Sequence, residues 1–222
     1  MKITHLYHSG VVVETEKVQI FFDVISDIES MIDVTKKVYF FVTHMHGDHF
    51  STQILKYKSE QVKYVFSDDV ITEPFEPILW VKPGGGYTLE DMKINTYAST
   101  DRGVSFLIKI HEKVIFHAGD LNWWHWENAP VTDQEKEAHD YKTIVDGIED
   151  VAIDIAFIPV DPRLKGAYYY AAKYFLESKR VKWLIPIHFG DHYDICSALI
   201  KQMNGDPRII NIKLKNQSIQ LI

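Results

Sequence analysis

One short stretch, residues 43–50 with the sequence THMHGDHF, constrains this chain more than any other. Three histidines and one aspartate fall within six residues, directly after the apolar run 38–42. That run is short, β-branched and aromatic, which is typical of a buried strand. The cluster therefore lies in a loop at the carboxyl end of a strand, and this density of ligand side chains favours a metal site over a solvated polar loop.

The spacing within the loop indicates how metal ions would be shared. His44 and His46 lie two positions apart in an extended segment, so their side chains point the same way and can share one ion. Asp48 and His49 follow after a turn at Gly47, and they can supply an oxygen and a nitrogen to a second ion.

The octapeptide resembles the H-x-H-x-D-H signature of the metallo-β-lactamase-fold hydrolases. The resemblance implies further ligands downstream in a set order: an isolated histidine, an aspartate after a strand, and a second isolated histidine. Asp120 follows the apolar run 114–117 and matches the aspartate that bridges both metals in that family. Such a bridge also has a physical reason, because two dications about 4 Å apart repel each other and a shared anion offsets the repulsion. His188 follows the apolar run 183–187 and matches the family's last ligand.

The chain departs from the family pattern at residues 97–103, where a family member would offer a histidine to the first metal. No histidine occurs there, and Asp101 is the nearest candidate ligand. A carboxylate in place of an imidazole shifts a site toward harder metals such as iron or manganese. Alternatively, residues 99–101 form a hydrogen-bonded turn before the next strand, and the first site is then one ligand short.

Three other polar residues lie near the predicted site. Asp23 ends an apolar run and resembles the family's acidic residue, which we interpret as a partner that orients a metal-bound histidine. His8 lies in the first hairpin, either as a turn and packing residue or at the border of the site. His117 precedes Asp120 by three positions, so it is expected on the opposite face of its strand in a structural role.

Two segments after Asp120 bear on the substrate. Residues 123–126 include three tryptophans, which either cover the end of the core or turn a ring, or His125, toward the metals. In the second case they would favour an apolar or stacking substrate group. Residues 131–150 are interpreted as a helical insert over the site, a lid or a dimer surface, with a helix at 133–149 capped by Thr132 or Asp133.

The remaining pattern predicts a chain rich in strands. Alternation and β-branching predict strands at 3–7, 11–15, 18–23, 62–66, 78–81, 87–97, 104–110, 153–159, 208–214 and 218–222. Shorter helices are predicted at 53–58 after a cap at 51–52, at 168–178, and around 196–203. Two runs of strands, each followed by helices, favour two packed sheets with helices on both outer faces. The resemblance implies the corresponding α/β (α+β) fold, the four-layer αββα sandwich.

Composition bounds the class of protein. The 222 residues suit one domain over 1–222, and 46% hydrophobic and 25% charged residues are ordinary for a globular chain. The net charge of −7 disfavours nucleic acid and anionic membranes as partners. Cys196 is the only cysteine, which excludes an intramolecular disulfide and makes a thiolate nucleophile a poor candidate. Without a signal-peptide pattern at residues 1–10, we expect a cytoplasmic protein with a small-molecule substrate, and leave homo-oligomerisation open.

Together with the resemblance, these residues imply a metal-dependent hydrolase with two divalent ions. The ligands would be His44, His46 and Asp101 at the first ion, Asp48, His49 and His188 at the second, and Asp120 between them. A metal-bridging hydroxide would attack an ester, phosphoester, amide or lactone, with Asp48 and Asp120 as catalytic carboxylates. Zinc is the first expectation, with manganese or iron as alternatives. A di-iron oxidoreductase and a degenerate metal-binding protein with a sensing or scaffolding role also stay open.

Overall fold

Two β-sheets form the centre of the protein in the computed structural model, which describes residues 1–73 and 77–221. The strands are β1 (Lys2–Tyr7), β2 (Gly10–Glu14), β3 (Val18–Phe22), β4 (Lys37–Val42), β5 (Val62–Ser67), β6 (Ile78–Val81), β7 (Gly86–Leu89), β8 (Met92–Ala98), β9 (Val104–Ile110), β10 (Lys113–His117), β11 (Ile153–Pro159), β12 (Val181–Ile187) and β13 (Gln217–Gln220). The first sheet has the order β13-β1-β2-β3-β4-β5-β6, and the second has the order β12-β11-β10-β9-β8-β7.

Both sheets are mixed, and their parallel parts matter for the site. In the first sheet, β3, β4, β5 and β6 pair in parallel. In the second, β10, β11 and β12 do the same. Functional residues in such sheets gather at the carboxyl ends of parallel strands, because those ends open onto one common edge.

The inner faces of the two sheets share one apolar core. The central strand β4 has no exposed face: Tyr39 and Phe41 belong to the core between the sheets, whereas Phe40 packs in the outer cluster of the first sheet. The ring of Phe41 lies 5.1 Å from that of Phe106 in the opposite sheet. Burial on both sides explains why this strand is a continuous apolar run rather than an alternating one.

Helical segments cover the outer faces. Three helices, α1 (Val131–Gly147), α2 (Tyr170–Ser178) and α3 (Asp194–Gln202), follow strands of the second sheet. Tyr141, Phe175 and Leu199 from them join the outer cluster of that sheet. On the first sheet the layer consists of short 3₁₀ turns at Glu29–Met31 and Thr52–Lys56. The predicted αββα sandwich is thus confirmed. In the part of the chain that the structure describes, no helix has the length and apolar character needed to span a bilayer.

Several predicted elements in the first half of the chain differ from those observed. The strand predicted at 87–97 is wrong as a single element, because the left-handed residue Glu90 (φ 55°) turns the chain back and makes the hairpin β7–β8. The helix predicted at 53–58 is a 3₁₀ turn, although the Ser51 side chain caps it by accepting a hydrogen bond from the Gln53 backbone, as expected.

Further differences lie in the second half. Helix α1 begins at Val131 after Pro130 and has no side-chain cap, so the cap predicted from Thr132 or Asp133 is wrong. Helix α2 begins only at Tyr170, because a 3₁₀ turn at Pro162–Ala167 precedes it. The strand predicted at 208–214 is absent from the described residues, where only an isolated bridge joins Ile209 to Leu184. The last strand is β13, and residue 222 of its predicted range lies outside the described residues.

Candidate metal centre

The histidine-rich loop begins where β4 ends, and the buried carboxylate of Asp23 fixes it there. Asp23 follows β3, the parallel neighbour of β4. The backbone N–H of Thr43 donates to Asp23 Oδ1 at 2.8 Å, and the Thr43 hydroxyl donates to Oδ2 at 2.7 Å. The same Oδ2 lies 2.8 Å from Nδ1 of His49. One carboxylate therefore holds both ends of the loop, which agrees with the orienting role expected for Asp23.

Two glycines let the opposite sheet approach this loop. Gly103 has φ +66°, and a Cβ atom there would lie 1.9 Å from the carbonyl oxygen of Thr43. Gly119 has φ +55°, and a Cβ atom there would lie 2.7 Å from Cβ of Thr43. Only glycine combines this backbone conformation with so close a contact. These contacts bring the neighbouring carboxylates of Asp101 and Asp120 to the histidine-rich loop.

His44, His46, Asp101 and Asp120 form the first cluster, in which one ligand atom from each residue lies within 4.8 Å of all the others. Nε2 of His44 lies 3.1 Å from Nδ1 of His46 and 3.5 Å from Oδ2 of Asp120. Nδ1 of His46 lies 3.6 Å from Oδ2 of Asp101. The side chains of His46 and Asp101 are 42% and 41% exposed, so this cluster opens to solvent on one side.

His8, Asp48, His49 and His188 form the second cluster, which meets the same 4.8 Å limit. His8 Nε2 lies 3.4 Å from Oδ2 of Asp48. The His8 and His188 rings are 4.0 Å apart between centroids. His49 and His188 are buried, whereas the Asp48 side chain is 52% exposed.

The carboxylate of Asp120 lies between the two clusters. Its Oδ1 is 3.0 Å from Nε2 of His49 and 3.2 Å from Nε2 of His188. Its Oδ2 faces His44 Nε2 of the first cluster at 3.5 Å. Residues from 44–49, 120 and 188 thus converge at one edge of the sandwich, and the seven residues predicted from the sequence lie together.

Outer hydrogen bonds determine which ring nitrogens face inward. His49 Nδ1 faces the carboxylate of Asp23, and His188 Nδ1 faces Oδ2 of Asp161 at 3.1 Å. Because a carboxylate only accepts, each Nδ1 carries the proton, and Nε2 then presents a lone pair to Asp120. His49 Nε2 and Asp120 Oδ1 are buried and have no hydrogen-bond partner among the described residues. Lone pairs that face each other at such a distance require a proton or a metal ion between them, and the donor set suits a metal ion.

The electrostatics agree with this arrangement. Burial opposes the charged form of His49, but Asp23 and Asp120 outweigh burial and raise the pKa of His49 to about 10. Burial also opposes the charged form of His188, but Asp120 and Asp161 outweigh burial and raise the pKa of His188 to about 9. Burial also opposes ionisation of Asp120, while the imidazoles of His188 and His49 hold its pKa well below the usual range. Positive charge is therefore favoured between these groups, and a metal ion bound to Nε2 would supply it in place of a proton.

The spacing of the donor atoms also fits a metal. Four ligands at about 2.1 Å from one ion stand about 3.4 Å apart in a tetrahedron. The measured pairs of the first cluster, and the pairs that join Asp120 to His49 and His188, span 3.0 to 3.6 Å. The first cluster is therefore of the size that one divalent ion requires, and Asp120 lies at ligand spacing from the two buried histidines of the second.

Comparison with known proteins identifies the architecture. Neither the protein-family models nor the curated proteins give a match. Among solved structures, the metallo-β-lactamase fold protein YhfI from Bacillus subtilis is similar to this chain. The two match with a TM-score of 0.64 at 12% identity, over 99% of each chain. The chain has the metallo-β-lactamase fold.

Two other matches with this fold differ in chemistry. The metallo hydrolase Igni18 from the archaeon Ignicoccus hospitalis matches with a TM-score of 0.62 at 14% identity, over 100% of this chain and 99% of that one. CmlA from Streptomyces venezuelae, a diiron β-hydroxylase, matches with a TM-score of 0.63 at 11% identity. This chain covers 99% of its own length in that match and 54% of CmlA.

The sequence left two alternatives for Asp101, a metal ligand or part of a hydrogen-bonded turn, and the structure has features of both. The Asp101 backbone N–H donates to the Ser99 hydroxyl at 3.2 Å, as in the predicted turn. The carboxylate of the same residue nevertheless lies in the first cluster beside His46. The first cluster thus combines two imidazoles with two carboxylates.

A cavity of about 360 Å³ opens over the two clusters. The rings of Trp124 and Trp126 stack at 5.9 Å and line it, and the Trp124 ring lies 5.5 Å from His188. Trp123 instead packs on Tyr141 of helix α1. Of the alternatives for the tryptophan run, two rings therefore face the candidate metals, whereas Trp123 covers the core.

Two charged residues at the cavity were not recognised in the sequence. Arg163 lies 6.0 Å from the Trp124 ring and donates to both carboxylate oxygens of Asp161. Glu137 of α1 lines the cavity, and burial raises its pKa. Asp161, the partner of Arg163, was not recognised either. It follows β11 just as Asp120 follows the neighbouring strand β10, and this similarity in position could have identified Asp161 from the sequence.

The structure gives the positions of His117, for which a structural role is predicted, and of His8, whose role the sequence left open. His117 is fully buried between the sheets, where its ring stacks on Phe22 at 4.7 Å and its Nε2 lies 3.0 Å from the Ser9 carbonyl oxygen. These contacts are those of a core residue, and the structural role of His117 stays a prediction. His8, in contrast, joins the second cluster rather than serving only the hairpin turn.

Proposed function

We propose that this chain is a metal-dependent hydrolase that binds two divalent ions, zinc first, and cleaves an ester, phosphoester, amide or lactone of a small molecule. The observation that carries the proposal is the position of Asp120. Its two oxygens face different clusters, each with a donor set for one ion. A carboxylate shared in this way is what a pair of adjacent dications needs.

The chain's own residues would divide the work. The first cluster would hold one ion, and Asp48, His49 and His188 the other, with Asp120 serving both. Bound divalent ions supply Lewis acidity and lower the pKa of water, so that hydrolysis proceeds near neutral pH. Asp23 and Asp161 keep the inner histidines in the ligand tautomer. Asp48, half exposed at the cavity, would act as an ionised ligand, because the neighbouring His8 lowers the pKa of its carboxylate.

The cavity supports a particular kind of substrate. Trp126 is 40% exposed and stacks on the more buried Trp124, which gives one wall a flat apolar surface. The lining of the same cavity includes the carboxylates of Asp101 and Glu137. A substrate with a planar or apolar group beside its scissile bond would gain contact area on the tryptophan wall.

Elemental analysis with an activity panel tests this proposal. Purified protein should contain two zinc or manganese ions per chain, and it should cleave at least one generic phosphodiester, ester or lactone. The variant His49→Gln should lose both metal and activity, whereas His192→Gln, at an exposed histidine outside both clusters, should lose neither. Equal activity in wild type and His49→Gln would show that the hydrolysis comes from elsewhere and would refute the proposal.

A di-iron oxidoreductase is the second candidate. Two imidazoles and two carboxylates in the first cluster suit iron, and a diiron β-hydroxylase shares the fold at 11% identity. Two irons per chain with a visible absorption band would favour this candidate over hydrolysis. A single, weakly held ion without turnover would instead favour a degenerate protein with a sensing or scaffolding role.

A further inference from the structure

The two-residue turn between β1 and β2 places His8 in the left-handed region of backbone conformation, with φ +54°. A histidine, unlike a glycine, is disfavoured there. Strain of this kind persists where the surroundings hold a residue for a purpose, so the contacts of His8 are informative.

Neighbouring elements fix the backbone of His8 at the second cluster. Its carbonyl oxygen accepts a hydrogen bond from the backbone N–H of His188 at 3.0 Å. His5 Nε2 lies 3.2 Å from the same oxygen. The His8 and His188 rings are 4.0 Å apart, and the His8 side chain is only 14% exposed. The imidazole therefore has little freedom to leave the cluster.

A hydrogen bond to the ring determines its tautomer. The backbone N–H of Gly190 donates to Nδ1 of His8 at 3.3 Å. Because a backbone N–H can only donate, Nδ1 holds a lone pair, and the proton of the neutral ring sits on Nε2. Nε2 is buried and has no hydrogen-bond partner among the described residues, and Oδ2 of the Asp48 carboxylate lies 3.4 Å from it.

This tautomer is opposite to that of the neighbouring histidines. His49 and His188 carry the proton on Nδ1 and direct a lone pair inward from Nε2. His8 directs an N–H toward the same region. An N–H donor cannot serve as a metal ligand without losing its proton, but it can hold a carboxylate.

We propose that His8 is a positioning residue of the active site, whose Nε2–H donates to Asp48 and holds that carboxylate at the second cluster. The need is physical: Asp48 is the most exposed member of its cluster, so without a fixed partner it would lose rotamer freedom when it binds an ion. The inference rests on the proposed function in that it takes Asp48 as a metal ligand.

Nuclear magnetic resonance tests the tautomer without reference to activity. In ¹⁵N-labelled wild-type protein, long-range proton–nitrogen spectra distinguish protonated from unprotonated ring nitrogens, and His8→Gln assigns the signals by their disappearance. We expect Nε2 of His8 to be protonated and Nδ1 unprotonated, both before and after zinc is added. A proton on Nδ1, or loss of the Nε2 proton upon zinc binding, would overturn the proposal and make His8 a ligand.

Metal affinity tests the consequence. Zinc dissociation constants are measured by competition with a chromophoric chelator for wild type, His8→Ala, His8→Gln and the control His192→Ala. Loss of a residue that supports a ligand weakens binding about 10- to 100-fold. We expect that loss for one of the two ions in His8→Ala, and partial recovery in His8→Gln, whose amide can still donate.

The two substitutions impose a similar cost on the left-handed turn, so they separate positioning from folding. Unchanged affinity in His8→Ala, or equal loss in both variants with equal thermal destabilisation, would reject the positioning role. If wild type binds no divalent ion at all, the proposed function fails, and Asp48 with it. If wild type binds two ions and both His8 variants bind them with the affinity of wild type, the proposed function stands and this inference fails.

Discussion

Oδ2 of Asp161 lies 3.1 Å from Nδ1 of His188, just beyond the ends of the neighbouring parallel strands β11 and β12. The guanidinium of Arg163 donates to both oxygens of the same carboxylate. Burial opposes ionisation of Asp161, but the hydrogen bonds from His188 and Arg163 lower its pKa to about 2. A fully ionised carboxylate thus keeps the proton of His188 on Nδ1 and leaves Nε2 for a metal.

Asp161→Asn should therefore weaken the second metal site. The amide preserves the shape and can still accept from the Arg163 backbone, but it removes the charge that favours the ligand tautomer of His188. We expect an approximately tenfold rise in the zinc dissociation constant of one ion, measured by chelator competition. Asp191→Asn, at an exposed carboxylate three positions after His188, should bind zinc like wild type. Equal affinities in all three proteins would show that Asp161 only anchors its turn.

Asp120→Ala should lower metal content and any hydrolytic activity together. Removing the carboxylate leaves His49 and His188 without the anion that their inward nitrogens face. Elemental analysis of the purified variant and the activity panel would be run in parallel, with circular dichroism as the control for folding. An unchanged metal count in a folded variant would remove Asp120 from the bridging position.

Asp101→Ala should empty the first metal site selectively. The Asp101 carboxylate is one of four donors in the first cluster and takes no part in the second. Elemental analysis should therefore give one ion per chain instead of two, while Asp101→His should restore two and raise the preference for zinc over manganese. If Asp101→Ala kept both ions, Asp101 would not be a metal ligand, and its role would be limited to the turn with Ser99.

Metal removal should destabilise the fold measurably. An ion present at about 100 times its dissociation constant adds about 2.7 kcal/mol, and each kcal/mol moves the midpoint of a chain this long by about 2–4 °C. For two ions, chelation should lower the thermal midpoint by about 10–20 °C in differential scanning calorimetry. Added zinc should restore it in wild type but only in part in His49→Gln. A midpoint that ignores chelator would mean that neither cluster holds an ion.

The thiol of Cys196 should be inert in the folded protein. Burial raises its pKa to about 12, so that at pH 8 only about one thiol in 10⁴ is ionised, and burial also keeps the reagent from the sulfur. Ellman's reagent should react only after denaturation, whereas an exposed thiol with an ordinary pKa of about 8.5 would react at once and faster with rising pH. Prompt labelling of native protein would contradict the buried position.

The sequence was most informative where the signal is local. The apolar run 38–42 followed by the histidine-rich loop predicted a central strand with ligands at its end, and β4 has that form because it is buried on both faces. Asp120 and His188 were recognised for the same reason, as polar residues that directly follow buried strands. The Trp124 and Trp126 wall was predicted only as one of two alternatives, since chain neighbourhood to Asp120 does not decide which way a ring turns.

Errors and omissions occurred where distant segments decide the outcome. The hairpin at Glu90 and the irregular segment 208–214 depend on strand pairing, which alternation within one segment cannot reveal. Asp161 stood in an ordinary strand–turn sequence, and only its contact with His188 gives it a role.

The amino-acid sequence by itself determined the kind of site and its principal donors, because imidazoles and carboxylates at strand ends are covalently set beside their strands. Only the tertiary structure decided which donors lie together in one cluster, through the approach of Gly103 and Gly119 to Thr43. The tertiary structure also decided which nitrogen of each imidazole carries the proton, because the tautomer depends on the hydrogen-bond partner of the nitrogen that faces away from the site. For His8 that partner is the backbone N–H of Gly190.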